Sequence, residues 1–183
     1  DEAVFIAQYT FLATPAVIEE ESRILGKIEA VWRFKSGEQT DLFVKLFSIA
    51  ASRIRAIQEN RHRAVLVPVP ASTREKHRTR YEAFCRKLSA DMGVADGYGA
   101  ITVAYDRRNQ GHTRNGDRTA NLEFHPNGSG GKAVLLVDDV LTTGATFDAL
   151  RRKLIAHGAK FVIGMFLAKT IAFEDERKAE EGG

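Results

Sequence analysis

The sequence predicts an α/β fold: an open, twisted, mainly parallel sheet flanked by helices, with a small hood. Three observations lead there. The runs Ala64–Val69, Lys132–Val137 and Phe161–Leu167 are short and apolar, as strands are when both faces of a sheet are covered. The stretches before and between them repeat apolar residues at helical spacing. Strands alternating with helices in this way build a parallel sheet with helices on both faces. The 183 residues suit a single domain over 1–183, with 1–30 as an N-terminal hood or extension and 174–183 as a charged tail.

The elements follow in chain order. Ile28–Phe34 is apolar but short, of either helical or extended type, and the turn signal Ser36-Gly37 follows it. From Asp41, the residues Leu42, Phe43, Leu46, Phe47, Ala50, Ile54 and Ile57 predict one amphipathic helix of about five turns. It ends at Arg61-His62-Arg63, where cations favour a helix C-terminus. Ala64–Val69 is a buried strand halted by Pro68 and Pro70. Arg74 to Met92 carries Tyr81, Phe84, Cys85 and Leu88 on one face, with Gly93 as its stop.

Ala100–Tyr105 is the next strand. Asp106–Gly131, rich in Asn, Gly, Arg and Thr, has the length and composition of a functional or disordered loop. Lys132–Val137 is a strand, Ala145–His157 a helix closing at Gly158, and Phe161–Leu167 the last strand.

Bulk properties exclude several classes. Apolar residues make up 44% and charged residues 28%, ordinary values for a globular protein. The net charge of +3 suits phosphorylated small molecules or nucleic acid equally. The single cysteine, Cys85, rules out an internal disulfide and a cysteine zinc cluster; it points to a reducing, cytoplasmic setting and to a core role. Apolar runs such as Ala133–Val137 and Phe161–Ala168 are too short to span a bilayer, so no membrane partner is expected. The start Asp1-Glu2-Ala3-Val4-Phe5 has neither a basic n-region nor an initiator Met. No signal peptide is expected, and the true N-terminus stays open.

The chemistry concentrates between the strand at 132–137 and the helix at 145–157. The connecting string is Asp138-Asp139-Val140-Leu141-Thr142-Thr143-Gly144-Ala145-Thr146. In open parallel sheets ligands bind beyond the carboxyl ends of the strands. Thr142, Thr143 and Thr146 supply hydroxyl donors, Gly144 lets the backbone close tightly, and the helix start with Ala145 supplies free N–H groups for an anion. Asp138 and Asp139 would repel a phosphate but suit a vicinal diol. Acids for hydroxyls beside N–H groups for phosphate describe a ribose 5-phosphate. Any one of these residues alone also fits a capped strand–turn–helix junction; the specific feature is the whole string. Dinucleotide and Walker A loops are absent.

The string Val-Leu-Leu-Val-Asp-Asp-Val-Leu-Thr-Thr-Gly-Ala-Thr at 134–146 resembles the phosphoribosyl pyrophosphate (PRPP) motif of type I phosphoribosyltransferases, and within them the ComF-like (competence-protein) branch. Val67-Pro68-Val69-Pro70 resembles that branch's strand-end loop. Gln110, Arg118 and Asn121 resemble its upstream Q…R…N segment, and Ala30–Leu46 its preceding segment.

The resemblance implies the type I phosphoribosyltransferase fold. It makes Asp138 and Asp139 the catalytic acids on the ribose hydroxyls, and Thr142, Thr143, Gly144, Ala145 and Thr146 the 5′-phosphate loop. Pro68, Val69, Pro70, Ala71 and Ser72 would form the pyrophosphate loop. Mg²⁺, the implied cofactor, would be held mostly by the ligand's oxygens, with Asp138 and Asp139 as further ligands. Two features depart from the branch: its cysteine zinc module is missing, and Arg78-Thr79-Arg80-Tyr81 stands where Arg-Gly-Phe-Asn often follows the proline loop.

The remaining signals each fit two roles. Pro68–Ser72 fits a pyrophosphate cradle or a rigid exit turn. Arg74, Lys76, His77, Arg78 and Arg80 fit a phosphate-facing run, with Arg78 the contact assigned here, or a solvated helix face. Arg107, Gln110 and Arg118 in the loop 106–121 fit a lid over PRPP, a mobile surface loop or a basic loop that touches RNA. His112 and His125 are incidental. Lys169-Thr170-Ile171 falls where an acceptor base would lie.

The leading expectation is a glycosyltransferase (pentosyltransferase) of nucleotide metabolism. It would move the phosphoribosyl group of PRPP to a nitrogenous acceptor and release pyrophosphate. The alternative is a non-catalytic PRPP or nucleotide sensor, or a nucleic-acid-handling accessory of the kind linked to DNA uptake. The basic segments 53–63 and 74–80 keep nucleic acid open as a partner, although stacking aromatics are sparse there. A homo-oligomer is equally compatible.

Overall fold

The computed structural model describes residues 29–104, 119–125 and 129–169. Chain order there runs through a helix at 29–35 (α1), α2 (Thr40–Ser52), α3 (Arg55–Asn60), a 3-10 turn at Arg61–Arg63 and β1 (Ala64–Pro68). It continues through α4 (Arg74–Met92), β2 (Ala95–Asp96), β3 (Ile101–Val103), β4 (Leu122–Phe124), β5 (Ala133–Leu141), α5 (Ala145–Ala156) and β6 (Phe161–Lys169).

Four strands form one parallel sheet in the order β2-β1-β5-β6. Alternation along the strands divides the core in two. Ala64, Leu66, Ala133, Leu135, Val137, Ile163 and Met165 pack against α1, α2 and α4. Val65, Val67, Val134, Leu136 and Val162 pack on the other face against Phe147, Leu150 and Leu154 of α5. The expected parallel sheet with helices on both faces is therefore present.

Phe34 of α1 centres an aromatic cluster, 5.2 Å from Phe43, 6.0 Å from Tyr81 and 4.9 Å from Phe84 between ring centroids. Edge-on geometries dominate, as the ring quadrupole favours. The Ser36-Gly37 turn signal holds: Gly37 and Gln39 both adopt positive φ (72° and 51°). A side chain at Gly37 would sit 2.4 Å from the Thr79 carbonyl oxygen, so α1 can lie this close to α4 only through glycine.

Several boundaries differ from the expectations. The single five-turn helix is two helices. Ile54 is extended (φ −103°, ψ 107°), and Arg53 and Ile54 donate three residues back to Ala50 and Ala51, tightening the end of α2. Gln58 Nε2 then bonds the Ala51 carbonyl across the break. Leu42, expected on the apolar face, is 48% exposed.

Of the strand expected over Ala100–Tyr105, Ile101–Val103 is extended, Tyr105 lies outside the described residues, and the strand stands outside the parallel sheet. It pairs antiparallel with β4, a strand inside the stretch whose composition predicts a loop. The two-residue edge strand β2 carries no sequence signal. β5 runs four residues past Val137, because Asp138, Val140 and Leu141 still pair with Phe166, Ala168 and Lys169. Of the expected hood over 1–30, residues 29 and 30 begin α1, while 1–28 and the tail at 174–183 lie outside the described residues. No helix among the described residues is long and apolar enough to cross a membrane.

Candidate functional site

From β1 the chain crosses through α4 to β2, on one side and one face; from β5 it crosses through α5 to β6, on the other side and the opposite face. The β1–β5 boundary is thus the topological switch point, where open α/β sheets leave a crevice at their carboxyl ends. β1 stops pairing at Pro68, opposite Val137, and the last link is Val69 N–H to the Val137 carbonyl at 2.8 Å. Beyond it the β1-facing flank of β5 is released from the ladder, and Asp138 and Asp139 are the first residues there.

Both acids are held by adjacent residues of α4. The Tyr81 hydroxyl donates to Asp138 Oδ1 at 2.8 Å, which also accepts the Asp139 N–H at 2.8 Å. Arg80 Nη1 donates to Asp139 Oδ2 at 2.6 Å, and Lys35 Nζ lies 3.9 Å from the same oxygen. Burial raises the Asp138 carboxyl to about 7, repulsion from Asp139 adds to the rise, and the bonds from Tyr81 and Asp139 N–H oppose it. Burial also drives the Tyr81 hydroxyl well above its ordinary value. Burial works against the charge of Arg80, but Tyr81, Asp139 and Asp138 outweigh it and hold the guanidinium charged. The Nε of Arg80 is buried without a partner among the described residues.

Thr142 and Thr143 are exposed, and Gly144 turns the chain at φ 77° into α5. No side chain caps this helix start through Gly144, whereas Thr73 caps α4 by accepting from Lys76 N–H. Among the described residues Ala145 N–H reaches only Thr143 Oγ1, at 3.4 Å, and Thr146 is partly exposed. The first turn of α5 therefore presents backbone donors to an anion. Among the described residues nothing stands within 4 Å of where a Gly144 side chain would begin.

The proline loop is more committed than the sequence implies. Val69 N–H is spent on Val137, and Ala71 N–H points to His77 Nδ1 at 3.4 Å. Pro68 and Pro70 have no N–H, and the described peptides are all trans. Of the five residues expected to cradle pyrophosphate with backbone N–H groups, Ser72 alone is exposed, while Pro68, Val69, Pro70 and Ala71 are buried. His77, which the sequence places in a basic run, is instead a buried acceptor. Its ring stacks 5.0 Å from Tyr98, and burial lowers it to about 4.

The other cations divide. Arg74 donates to the Val103 and Ala104 carbonyls at 3.0 and 2.8 Å and so ties α4 to β3. Arg80 serves Asp139. Arg78 and Lys76 are exposed. Asn121 is buried, and its carbonyl accepts the Ala104 N–H within the β3–β4 hairpin. His125 meets Thr102 Oγ1 at 2.8 Å. Arg107, Gln110, Arg118 and His112 lie outside the described residues, as do Thr170 and Ile171. Residue type alone does not reveal Tyr81 and Arg80 as partners of the acids. The available signal is their departure from the Arg-Gly-Phe-Asn pattern.

No protein-family model matches the chain, and no curated protein matches it. Among solved structures, an alanine mutant from an analysis of an invariant aspartic acid in HPRTs aligns at a TM-score of 0.48 and 18% identity, over 71% of this chain and 68% of that one. The adenine phosphoribosyltransferase of Thermoanaerobacter pseudethanolicus aligns at 0.41 and 22%, over 75% and 76%. A hypothetical protein from Neisseria gonorrhoeae with bound ppGpp aligns at 0.43 and 17%, over 72% and 69%. Phosphoribosyltransferases are thus among the structural neighbours, and the functional reading rests on this chain's own residues.

Proposed function

We propose that the chain binds PRPP at the switch point and transfers its phosphoribosyl group to a nitrogen nucleophile, releasing pyrophosphate, as in the ComF-like pattern its sequence resembles. One observation carries the reading: an acidic pair on the released flank of β5 leads, within five residues, through a left-handed Gly144 into an uncapped helix N-terminus. The acids accept the ribose hydroxyls, and the Thr142–Thr146 turn takes the 5′-phosphate. In the transfer the bond from ribose C1 to pyrophosphate oxygen breaks and a C1–N bond forms, with positive charge growing on the ring. The protein contributes orientation and nearby negative charge, not a covalent nucleophile.

The donors present limit how a metal could be held. Among the described residues no group of three His, Cys, Asp or Glu side chains could cage an ion, and each acid already gives one oxygen to α4. That set fits Mg²⁺ carried mainly on ligand oxygens, with Asp138 or Asp139 adding a contact. When bound, Mg²⁺ would neutralise the departing pyrophosphate.

The test is calorimetric titration of PRPP with and without Mg²⁺, on the wild type and on an Asp138→Asn/Asp139→Asn variant. Saturable binding that the variant loses, by at least about tenfold, supports the site. Pyrophosphate release with a nucleobase then identifies the acceptor, while binding without turnover makes the chain a PRPP sensor. No binding by folded wild-type protein would sink the reading.

A further inference from the structure

Tyr81 and Arg80 sit next to each other on α4, yet each reaches a different member of the acidic pair, and each takes only one oxygen. Asp138 spends Oδ1 on the Tyr81 hydroxyl and the Asp139 N–H. Asp139 spends Oδ2 on Arg80 and faces Lys35 with the same atom. The remaining oxygens, Asp138 Oδ2 and Asp139 Oδ1, have no partner among the described residues. Carboxylates with both oxygens free can rotate about the terminal bond and offer either one. Here that rotation is blocked from behind by two donors on a helix whose own position is fixed by Phe34, Phe84 and Leu88.

Resting on the function proposed above, we infer that Tyr81 and Arg80 are positioning residues that give the site its selectivity for ribose over 2-deoxyribose. They anchor one oxygen of each acid, and so present two fixed acceptors side by side, one for each hydroxyl of a vicinal diol. A sugar lacking the 2-hydroxyl leaves one of those acceptors unpaired on binding, and an unpaired desolvated carboxylate oxygen is costly. Without the anchors the carboxylates turn to solvent or to each other's neighbours, and the missing hydroxyl matters less. Neither Tyr81 nor Arg80 needs to touch the sugar.

The experiment measures affinity for ribose 5-phosphate, 2-deoxyribose 5-phosphate and inorganic phosphate at constant Mg²⁺. It uses the wild type, Tyr81→Phe, Arg80→Lys and Arg80→Met, each checked for a cooperative thermal transition. The wild type is expected to prefer ribose 5-phosphate by about tenfold or more, the scale of one hydrogen bond to a charged group. Tyr81→Phe should cut that preference to about threefold or less with phosphate affinity unchanged. Arg80→Lys, which keeps a donor toward Asp139, should retain more of it than Arg80→Met.

A general loss of structure would lower all three affinities together and leave their ratio, so the ratio reports positioning. An undiminished preference in folded Tyr81→Phe overturns the inference. If Tyr81→Phe does not fold, the Arg80 pair decides in its place, and equal preferences in Arg80→Lys and Arg80→Met overturn it. A wild type that binds PRPP but ignores the 2-hydroxyl also overturns it and leaves the parent function standing. A wild type that binds neither PRPP nor the sugar phosphates removes both.

Discussion

Two titratable groups near the crevice make stability respond to pH in opposite directions. His77 is held at about 4 by burial between Tyr98, Tyr81 and the Ala71 N–H, with Arg80 also disfavouring its charge. The unfolded chain takes up that proton near 6.5, so acidification from about 6.5 toward 4 favours unfolding. Asp138 behaves oppositely. Its folded value of about 7 against an ordinary 3.8 means the native state binds the extra proton, and stability grows as pH falls from about 7 toward 4. From pH 7 to 5 the His77 contribution is about 2 kcal/mol, at 1.36 kcal/mol per pH unit, and Asp138 opposes it. His77→Gln removes the first contribution. Denaturant unfolding should then show the stability of the variant rising relative to wild type by about 2 kcal/mol between pH 7 and pH 5; a difference that does not change with pH would refute the assignment of His77 as a neutral acceptor. None of this is legible in the sequence, where His77 looks like one cation among five. Its partners Ala71 and Tyr98 come together only once β1, α4 and the turn after β2 are in place. Asp138 and Asp139, by contrast, stand out because their adjacency before Thr142-Thr143-Gly144 is chemically specific whatever surrounds it.

Elements are legible where composition and packing agree, and misleading where they diverge. α4 follows its predicted bounds, since Thr73 caps one end and Gly93 at φ 66° stops the other. β5 looks short in the sequence because two carboxylates resemble loop, yet pairing with β6 carries the ladder through them to Leu141. The break between α2 and α3 is invisible there because Ile54 and Ile57 keep helical spacing across it. β6 adds a constraint of its own: a side chain at Gly164 would begin 2.5 Å from a Phe166 ring carbon and 2.7 Å from one of Phe147. Gly164→Ala should therefore push α5 off the sheet and cost about 1–3 kcal/mol, as overpacked cores do. Thermal unfolding checks this; an unchanged Tm would mean that the two rings move aside freely. Because α5 also carries the turn proposed to hold the 5′-phosphate, ribose 5-phosphate affinity should fall with it.

For the whole molecule, the sheet and the proposed site share one boundary. A parallel sheet with helices on both faces follows from the alternation of strands and helices. The antiparallel β3–β4 hairpin does not, because its two strands are three residues each and a long segment separates them. The bonds that complete the acid site span 59 residues from Arg80 to Asp139 and 57 from Tyr81 to Asp138. That separation governs time as well as space. During synthesis α4 is finished long before β5 emerges, so Arg80 waits with a guanidinium it cannot bury cheaply. Closing so long a loop is slow relative to local helix formation, and β1 gains its central neighbour in the same step. Hydrogen exchange during refolding should show α4 amides protected early, with Val69 and Asp139 amides protected together and late. Early protection of Val69 without Asp139 would separate the two events. The crevice is then the last part of the core to be born, and a chain that lacks it has not yet joined β1 to β5.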